Sequence, residues 1–341
     1  MAENEQKQYV AIDIGSGYTN VVAGENDKEI LFASRVCRAP HGWQDDFNAA
    51  VHRWVRFGEK AERTEWLLGD AVRAVRATPE NSLLDRWAMS QGWLVLLYSA
   101  LADLKGVVNF KEPILLATGL PQAFFKTQWK EVKHSLTGEH RFEVNGIEHS
   151  VEIENVVVVP QATAALLYQR SRDESLRGDV GCIDVGTYTT GLAVIDMDEL
   201  KVIERRSTGC QLGVSNLLRS LETYLKQHHN LHLDGQRLLL ALQERMVRVR
   251  GETVDLGVVI NQITARESAP ILDFIQSAWT GGADLDVYLA GGGADLFADT
   301  IRTVVPHAEV MVDPQWAVAR GLSSYLKSTV SAARDGHAER T

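Results

Sequence analysis

The chain has 341 residues, 45% of them apolar, and a formal net charge of −10. That is enough apolar material to bury a real core, and the length alone favours two or more domains. The negative balance argues against direct binding to DNA or to an anionic membrane surface, since both are polyanions.

The three cysteines, Cys37, Cys182 and Cys210, form no CxxC pair and no secreted-style framework. They read as structural thiols in a reducing compartment. Residues 1–8 carry no apolar signal region, and the longest apolar run, 93–102, is too short to span a bilayer. The expectation is a soluble cytoplasmic protein.

In chain order, an apolar run at 9–12 leads into Asp13 and a Gly/Ser/Thr turn, then out through apolar 21–23. This predicts a β-hairpin, with a third strand at 29–32. Residues 35–82 read as a small insertion containing a hairpin-like pair, 54–57 and 66–69. Asn81 or Ser82 is a candidate cap for a long helix reaching about Leu104. Residues 114–121 predict a buried strand ending in a turn, followed by an amphipathic helix to about His134. Asn145-Gly146 suits a type I′ hairpin turn within 141–148. A β-branched run at 156–159, bounded by Pro160, predicts a buried strand, and 161–170 a helix.

The second half opens on another hairpin near Asp179, with a third strand at 200–204 and an amphipathic helix from about 212 to 228. The polar stretch 231–262 suggests a second insertion, within which 237–250 is locally basic and reads as an amphipathic helix. A helix at 264–279 precedes the strand 286–290 and Gly291-Gly292-Gly293. Residues 313–321 read as a turn into a last helix, and 331–341 as a frayed polar tail. Strands alternating with helices, organised twice, predict two α/β lobes.

The informative feature is a repeat. Ile12-Asp13-Ile14-Gly15-Ser16-Gly17-Tyr18-Thr19 recurs as Ile183-Asp184-Val185-Gly186-Thr187-Tyr188-Thr189, with the aspartates 171 residues apart (184 − 13). Gly- and hydroxyl-rich tips offer successive backbone N–H groups to an anion. One carboxylate per tip can hold a divalent cation directly or through its waters. Either aspartate alone is also what a turn cap looks like; the matched pair points to a nucleoside triphosphate and its metal. GxxxxGK[ST] is absent, and the run from Gly15 fails GxGxxG because Asn20 takes the last place.

Gln161 follows Pro160 at a strand-to-helix junction. A neutral amide there can orient a water, as a glutamine does in Ras-like enzymes, or simply cap the helix. Gly291, Gly292 and Gly293 allow close approach to a flat nucleoside ring or form a tight turn. His228 and His232 share a helical spacing but have no evident third ligand. Five of the eight tryptophans fall between Trp43 and Trp93, consistent with an insertion core or a partner-binding face.

Taken together, these segments resemble the actin-like ATPases of bacterial plasmid partitioning, the ParM/StbA group and its Alp relatives. Residues 13–19 and 184–190 are similar to the two phosphate loops, 117–121 to the TGLP turn and 158–162 to the segment with the water-positioning residue. Residues 212–215, 289–294 and 313–317 are similar to the stretch after the interlobe connection, the adenosine motif and the entry to the final helix.

The resemblance implies an α/β actin-like fold, shared with the heat-shock chaperones and sugar kinases. Two duplicated lobes, 1–165 (insertion 35–82) and 166–330 (insertion 215–280), would flank an interlobe nucleotide cleft, the last helix packing back on the first lobe. It also implies ATP or GTP with Mg²⁺, metal-site residues Asp13 and Asp184, and catalysis by Gln161 and Asp184. Nucleotide contacts would come from Gly15, Ser16, Gly17, Tyr18, Thr19, Asn20, Gly186, Thr187, Tyr188, Thr189 and Gly291 to Gly293. Filament assembly and a ParR-like DNA-binding adaptor follow from it, with no direct nucleic acid or membrane contact. One departure is that no lysine follows Asp13, so Thr19 and Asn20 would meet phosphate by hydroxyl and amide. Competing readings on the same fold are a non-filamentous scaffold of the PilM or FtsA type and a small-molecule kinase.

Overall fold

Apolar runs interrupted by glycine and polar turns become strands, and the periodic apolar stretches between them become helices. The computed structural model describes residues 8–41, 53–58, 64–75, 86–280 and 282–338. They form two compact units, one of residues 1–120, 124–172 and 318–341 and the other of 121–123 and 173–317.

The first unit contains β1 (Gln8–Ile14), β2 (Tyr18–Ala23), β3 (Lys28–Ala33), β4 (Val36–Arg38), β5 (Arg53–Phe57), β6 (Thr64–Leu68), α1 (Asp70–Ala74) and α2 (Gln91–Asp103). It continues with β7 (Ile114–Leu120), α3 (Gln122–Leu136), β8 (Gly138–Val144), β9 (Ile147–Pro160) and α4 (Gln161–Arg172). Among the described residues its nine strands form one sheet in the order β3-β2-β1-β7-β9-β8-β5-β6-β4. The central pairs β1–β7 and β7–β9 are parallel. Every residue of β7 is buried. Trp66, Trp87 and Trp93 pack in this core among the apolar faces of β1, α2 and β7, so the tryptophan-rich region supplies interior. Trp43 lies outside the described residues.

Several boundaries differ from the expectation. Asn81 and Ser82 lie outside the described residues, and α2 begins only after Ser90, whose hydroxyl accepts from Trp93 N at 3.1 Å. Met89 has a left-handed φ of +70°, which no helix can pass through. Strand β9 is far longer than 156–159, because residues from Ile147 pair with β8 across the Asn145-Gly146 turn. Both turn residues have positive φ, +49° and +81°, as a type I′ turn requires.

The second unit contains β10 (Asp179–Val185), β11 (Thr190–Asp196), β12 (Lys201–Val202), β13 (Thr208–Cys210), α5 (Val214–His229), α6 (Gly235–Glu244), β14 (Met246–Val249) and β15 (Glu252–Asp255). Then come α7 (Gly257–Trp279), β16 (Asp286–Ala290), α8 (Ala294–Ile301) and β17 (Glu309–Val310). Its main sheet runs β12-β11-β10-β16-β17, with β13 also on β11.

The basic segment 237–250 is not one helix: α6 ends at Glu244, Arg245 takes φ +57°, and Met246–Val249 pairs with β15. Helix α7 starts seven residues before the expected 264 (264 − 257), because Ile260 and Ile263 continue the buried stripe of Ile271, Ile275 and Trp279. The third strand, β12, has only two residues, since Leu200 at φ +52° forms the turn before it.

The last helix, α9 (Ala317–Ala338), belongs to the first unit from residue 318 and remains helical through most of the expected tail. Arg320 Nε reaches Glu29 at 2.6 Å and Lys327 Nζ reaches Asp27 at 2.6 Å, tying α9 to the β2–β3 turn. Such half-exposed pairs contribute about 0–1 kcal/mol each. Backbone packing matters more: a Cβ on Gly321 would overlap the carbonyl of Ala164 in α4. Helices α4 and α9 therefore touch backbone to backbone, which fixes the start of α4 where Gln161 stands.

Candidate functional site

The two hairpin turns are built alike. Ile14 pairs with Thr19 and Asp13 with Asn20 in the first; Val185 pairs with Thr190 and Asp184 with Gly191 in the second. Each closing pair spans four residues, 15–18 and 186–189, all half-buried. Each turn is followed by a fully buried threonine on the face opposite the aspartate. Thr19 Oγ1 bonds Ser34 Oγ at 2.9 Å, and Thr190 Oγ1 donates to Leu212 O at 2.8 Å. Thr19 thus serves to hold its own hairpin, and its hydroxyl is not presented on the Asp13 face. Ser16, Gly17, Tyr18, Thr187, Tyr188 and Thr189 remain at the tips.

In the first unit Asp13 is 5% exposed, yet its partners are two neutral amides. Gln161 Nε2 donates to Asp13 Oδ1 at 2.7 Å, and the Asn20 side chain also bonds to it. Burial outweighs these bonds and pushes the Asp13 carboxyl up to about 6. Asn20 Oδ1 and Thr163 Oγ1, the latter in the first turn of α4, are buried with no hydrogen-bond partner. An under-neutralised carboxylate bonded by Asn20, whose own oxygen is unsatisfied, is a seat for positive charge. The donor set therefore fits a hydrated divalent cation.

In the second unit Asp184 is 8% exposed at the end of β10. Gly186 N donates to Thr189 O at 2.8 Å, closing the turn. Val214 N and Ser215 N, the first amides of α5, donate to Gly186 O and Thr187 O at 3.1 and 2.8 Å. The helix start is consumed in holding the turn. Burial raises the Cys182 thiol well above its ordinary value, with a smaller contribution from Asp184, which removes it as a nucleophile.

The three glycines divide in role. Gly291 has φ +85°, and a Cβ there would lie 2.5 Å from both Asp184 Oδ1 and Val185 O. At Gly293 a Cβ would meet Val185 and Val214 at 2.8 Å. Only Gly292 has nothing within 4 Å. Two of the three are required by packing against the Asp184 turn, leaving Gly292 as the open backbone.

Sequence reasoning missed Thr163, and it singled out Thr118 and Gly119 within the 117–121 turn without giving either a role. Thr118 Oγ1 donates to Ile12 O at 2.8 Å, locking β7 to β1 one residue before Asp13. Its signal was available: hydroxyl and glycine in a strand that is otherwise aliphatic. Among the described residues no group of three or more His, Cys, Asp or Glu is placed to hold a metal, so His228 and His232 form no such site. No helix among them is long and apolar enough to cross a membrane.

The repeat has counterparts among known proteins. Residues 11–163 match the family described as actin like proteins N terminal domain, and 182–303 that described as archaeal actin homologue MreB-like, C-terminal. The chain is an actin-like protein.

An archaeal actin homolog of Thermoplasma volcanium is 24% identical to this actin-like protein over 320 residues, 90% of this chain and 94% of the relative. The crystal structure of an archaeal actin homolog in complex with ADP matches with a TM-score of 0.75 at 20% identity, covering 94% of this chain and 99% of the other. A 15-stranded ParM filament from Clostridium botulinum matches with a TM-score of 0.77 at 21% identity, covering 95% and 99%. The expected actin-like fold is thereby borne out, and the resemblance to ParM extends to the architecture.

Proposed function

We propose that this actin-like protein is a Mg²⁺-dependent nucleoside triphosphatase, taking ATP or alternatively GTP, that assembles into filaments and moves DNA through a ParR-like DNA-binding adaptor. The observation that carries the reading is the repeated four-residue turn with a buried aspartate one position before its closing pair. Each lobe of this reading, 1–165 and 166–330, contributes one turn to the same nucleotide. The ADP bound to the archaeal homolog and the filament formed by the botulinum ParM support it by analogy.

In this mechanism N–H groups at the tips, 15–18 and 187–189, receive phosphate oxygens, Gly186 N being committed to Thr189 O, and Gly292 leaves room for the nucleoside. Asp13 and Asp184 would hold the hydrated cation, which would supply charge neutralisation when bound. With its Nε2 committed to Asp13, Gln161 keeps Oε1 to accept from the attacking water and align it. A neutral amide positions; it does not act as a strong base. Loss of the γ-phosphate removes an anion that both turns hold, so hydrolysis weakens the state that assembles. The net charge of −10 supports an adaptor in place of direct DNA contact.

Sedimentation and phosphate release with Mg²⁺ and ATP test this. The wild type should pellet only with nucleotide and release phosphate without any acceptor. Asp184→Ala should lower release by at least about 100-fold. Release that persists in Asp184→Ala refutes the assignment; no pellet points to the scaffold reading, and acceptor-dependent transfer to a kinase.

A further inference from the structure

Gln161 and Asp13 do not come from neighbouring strands. Asp13 lies one residue before the end of β1 and Gln161 follows β9, and β7 runs between those two strands. At about 4.8 Å per strand spacing, the Gln161 side chain must cross the end of β7 to reach Asp13. The residue at that crossing is Gly119. A Cβ placed there would lie 2.9 Å from Gln161 Cγ and 3.1 Å from Asp13 Oδ1, with Val318 Cγ1 of α9 at 3.4 Å. The backbone of Gly119 carries no left-handed φ, so glycine is required here for space and not for conformation.

The duplicated half provides an internal control. Ile12 pairs with Thr118, and one step along the register sets Gly119 beside Asp13; in the second unit Asp184 pairs with Ala290. A methyl group is accommodated at Ala290, fully buried. The first half lacks it, at the place where a glutamine crosses.

We infer that Gly119 is a positioning residue: its missing side chain is the channel through which Gln161 reaches Asp13. Gln161 is thereby aimed by three strands and by α9 before any ligand arrives. The consequence for turnover rests on the hydrolytic reading of Gln161; the contact itself does not.

The test is a double-mutant cycle of Gly119→Ala and Gln161→Ala, read first by urea unfolding and by proton–nitrogen NMR of the Gln161 side-chain amide in the nucleotide-free protein. Gly119→Ala should move the Gln161 amide resonance, because the methyl displaces Gln161 from its bond to Asp13. It should cost less stability in the Gln161→Ala background than alone, since the nearest atom it meets, Gln161 Cγ, is then gone. In hydrolysis, Gly119→Ala should lower kcat by about tenfold or more with KM little changed, and add little further in the Gln161→Ala background. An unmoved Gln161 amide resonance in Gly119→Ala, or a full additional effect in the double variant, overturns the positioning role. Should Gly119→Ala fail to fold, a folded double variant supports the inference and an unfolded one overturns it. A moved amide resonance with unchanged kcat would instead overturn the hydrolytic role of Gln161.

Discussion

Replacing Asp13 by asparagine should make the nucleotide-free protein more stable at neutral pH while abolishing its response to Mg²⁺ and ATP. The carboxyl titrates at about 6 in the folded chain against an ordinary 3.8. Between those values the folded state binds more protons than the unfolded one, so this group's contribution falls as pH rises through that window. Above pH 6 the deficit is complete, on the order of 3 kcal/mol for a shift of about two units. The substituted amide carries no charge to desolvate. Its carbonyl can still accept from Gln161, and its NH₂ can donate to the unsatisfied Oδ1 of Asn20 once the Asn20 side chain turns. Urea unfolding without nucleotide should show a gain of about 1–3 kcal/mol at pH 7.5 that vanishes near pH 4. The thermal shift expected for the wild type with Mg²⁺ and ATP should disappear, because the carboxylate proposed to hold the cation is gone. Loss of stability at neutral pH together with intact nucleotide response would contradict the assignment.

The second large effect concerns adjacent glycines. Gly291→Ala forces a methyl onto Asp184 Oδ1 and Val185 O at 2.5 Å and places a non-glycine residue at φ +85°. The left-handed conformation alone costs about 1–2 kcal/mol, and displacing the turn adds to it. The expected total is about 2–4 kcal/mol of stability, with loss of phosphate release, because Asp184 is pushed from its place. Gly292→Ala meets nothing within 4 Å and should stay within about 0.5 kcal/mol of the wild type. If Gly292 is the backbone that a base approaches, its methyl should still weaken nucleotide binding in calorimetry. Equal stability losses at the two positions would sink the packing account. Unchanged binding in Gly292→Ala would remove the nucleoside from this loop.

Much of the architecture was legible because strand periodicity and turn chemistry agree here. The run before Asp13, the aliphatic stretch 114–120 and Asn145-Gly146 each specify one local structure. What escaped depends on contacts distant in sequence. Met89 reaches a left-handed φ that no propensity assigns to methionine, and so delays α2 to Ser90. The start of α7 was hidden by its polar outer face, although Ile260 and Ile263 carry the helical period. Arg245 and Arg250, both at positive φ, break a segment whose composition reads as helix. In the candidate site, both aspartates were readable from the repeat. The assignment of Thr19 to its own hairpin needs Ser34, and the role of Gly119 needs the order of β1, β7 and β9. Neither is a pattern in one dimension.

The most direct test is a crystal structure with Mg²⁺ and a non-hydrolysable ATP analogue. It should show one nucleotide whose terminal phosphates accept from backbone N–H groups of both 15–18 and 187–189, with Asp13 and Asp184 on waters of a single ion. Phosphates held by only one turn, or an ion that ignores either aspartate, would contradict the shared-nucleotide reading.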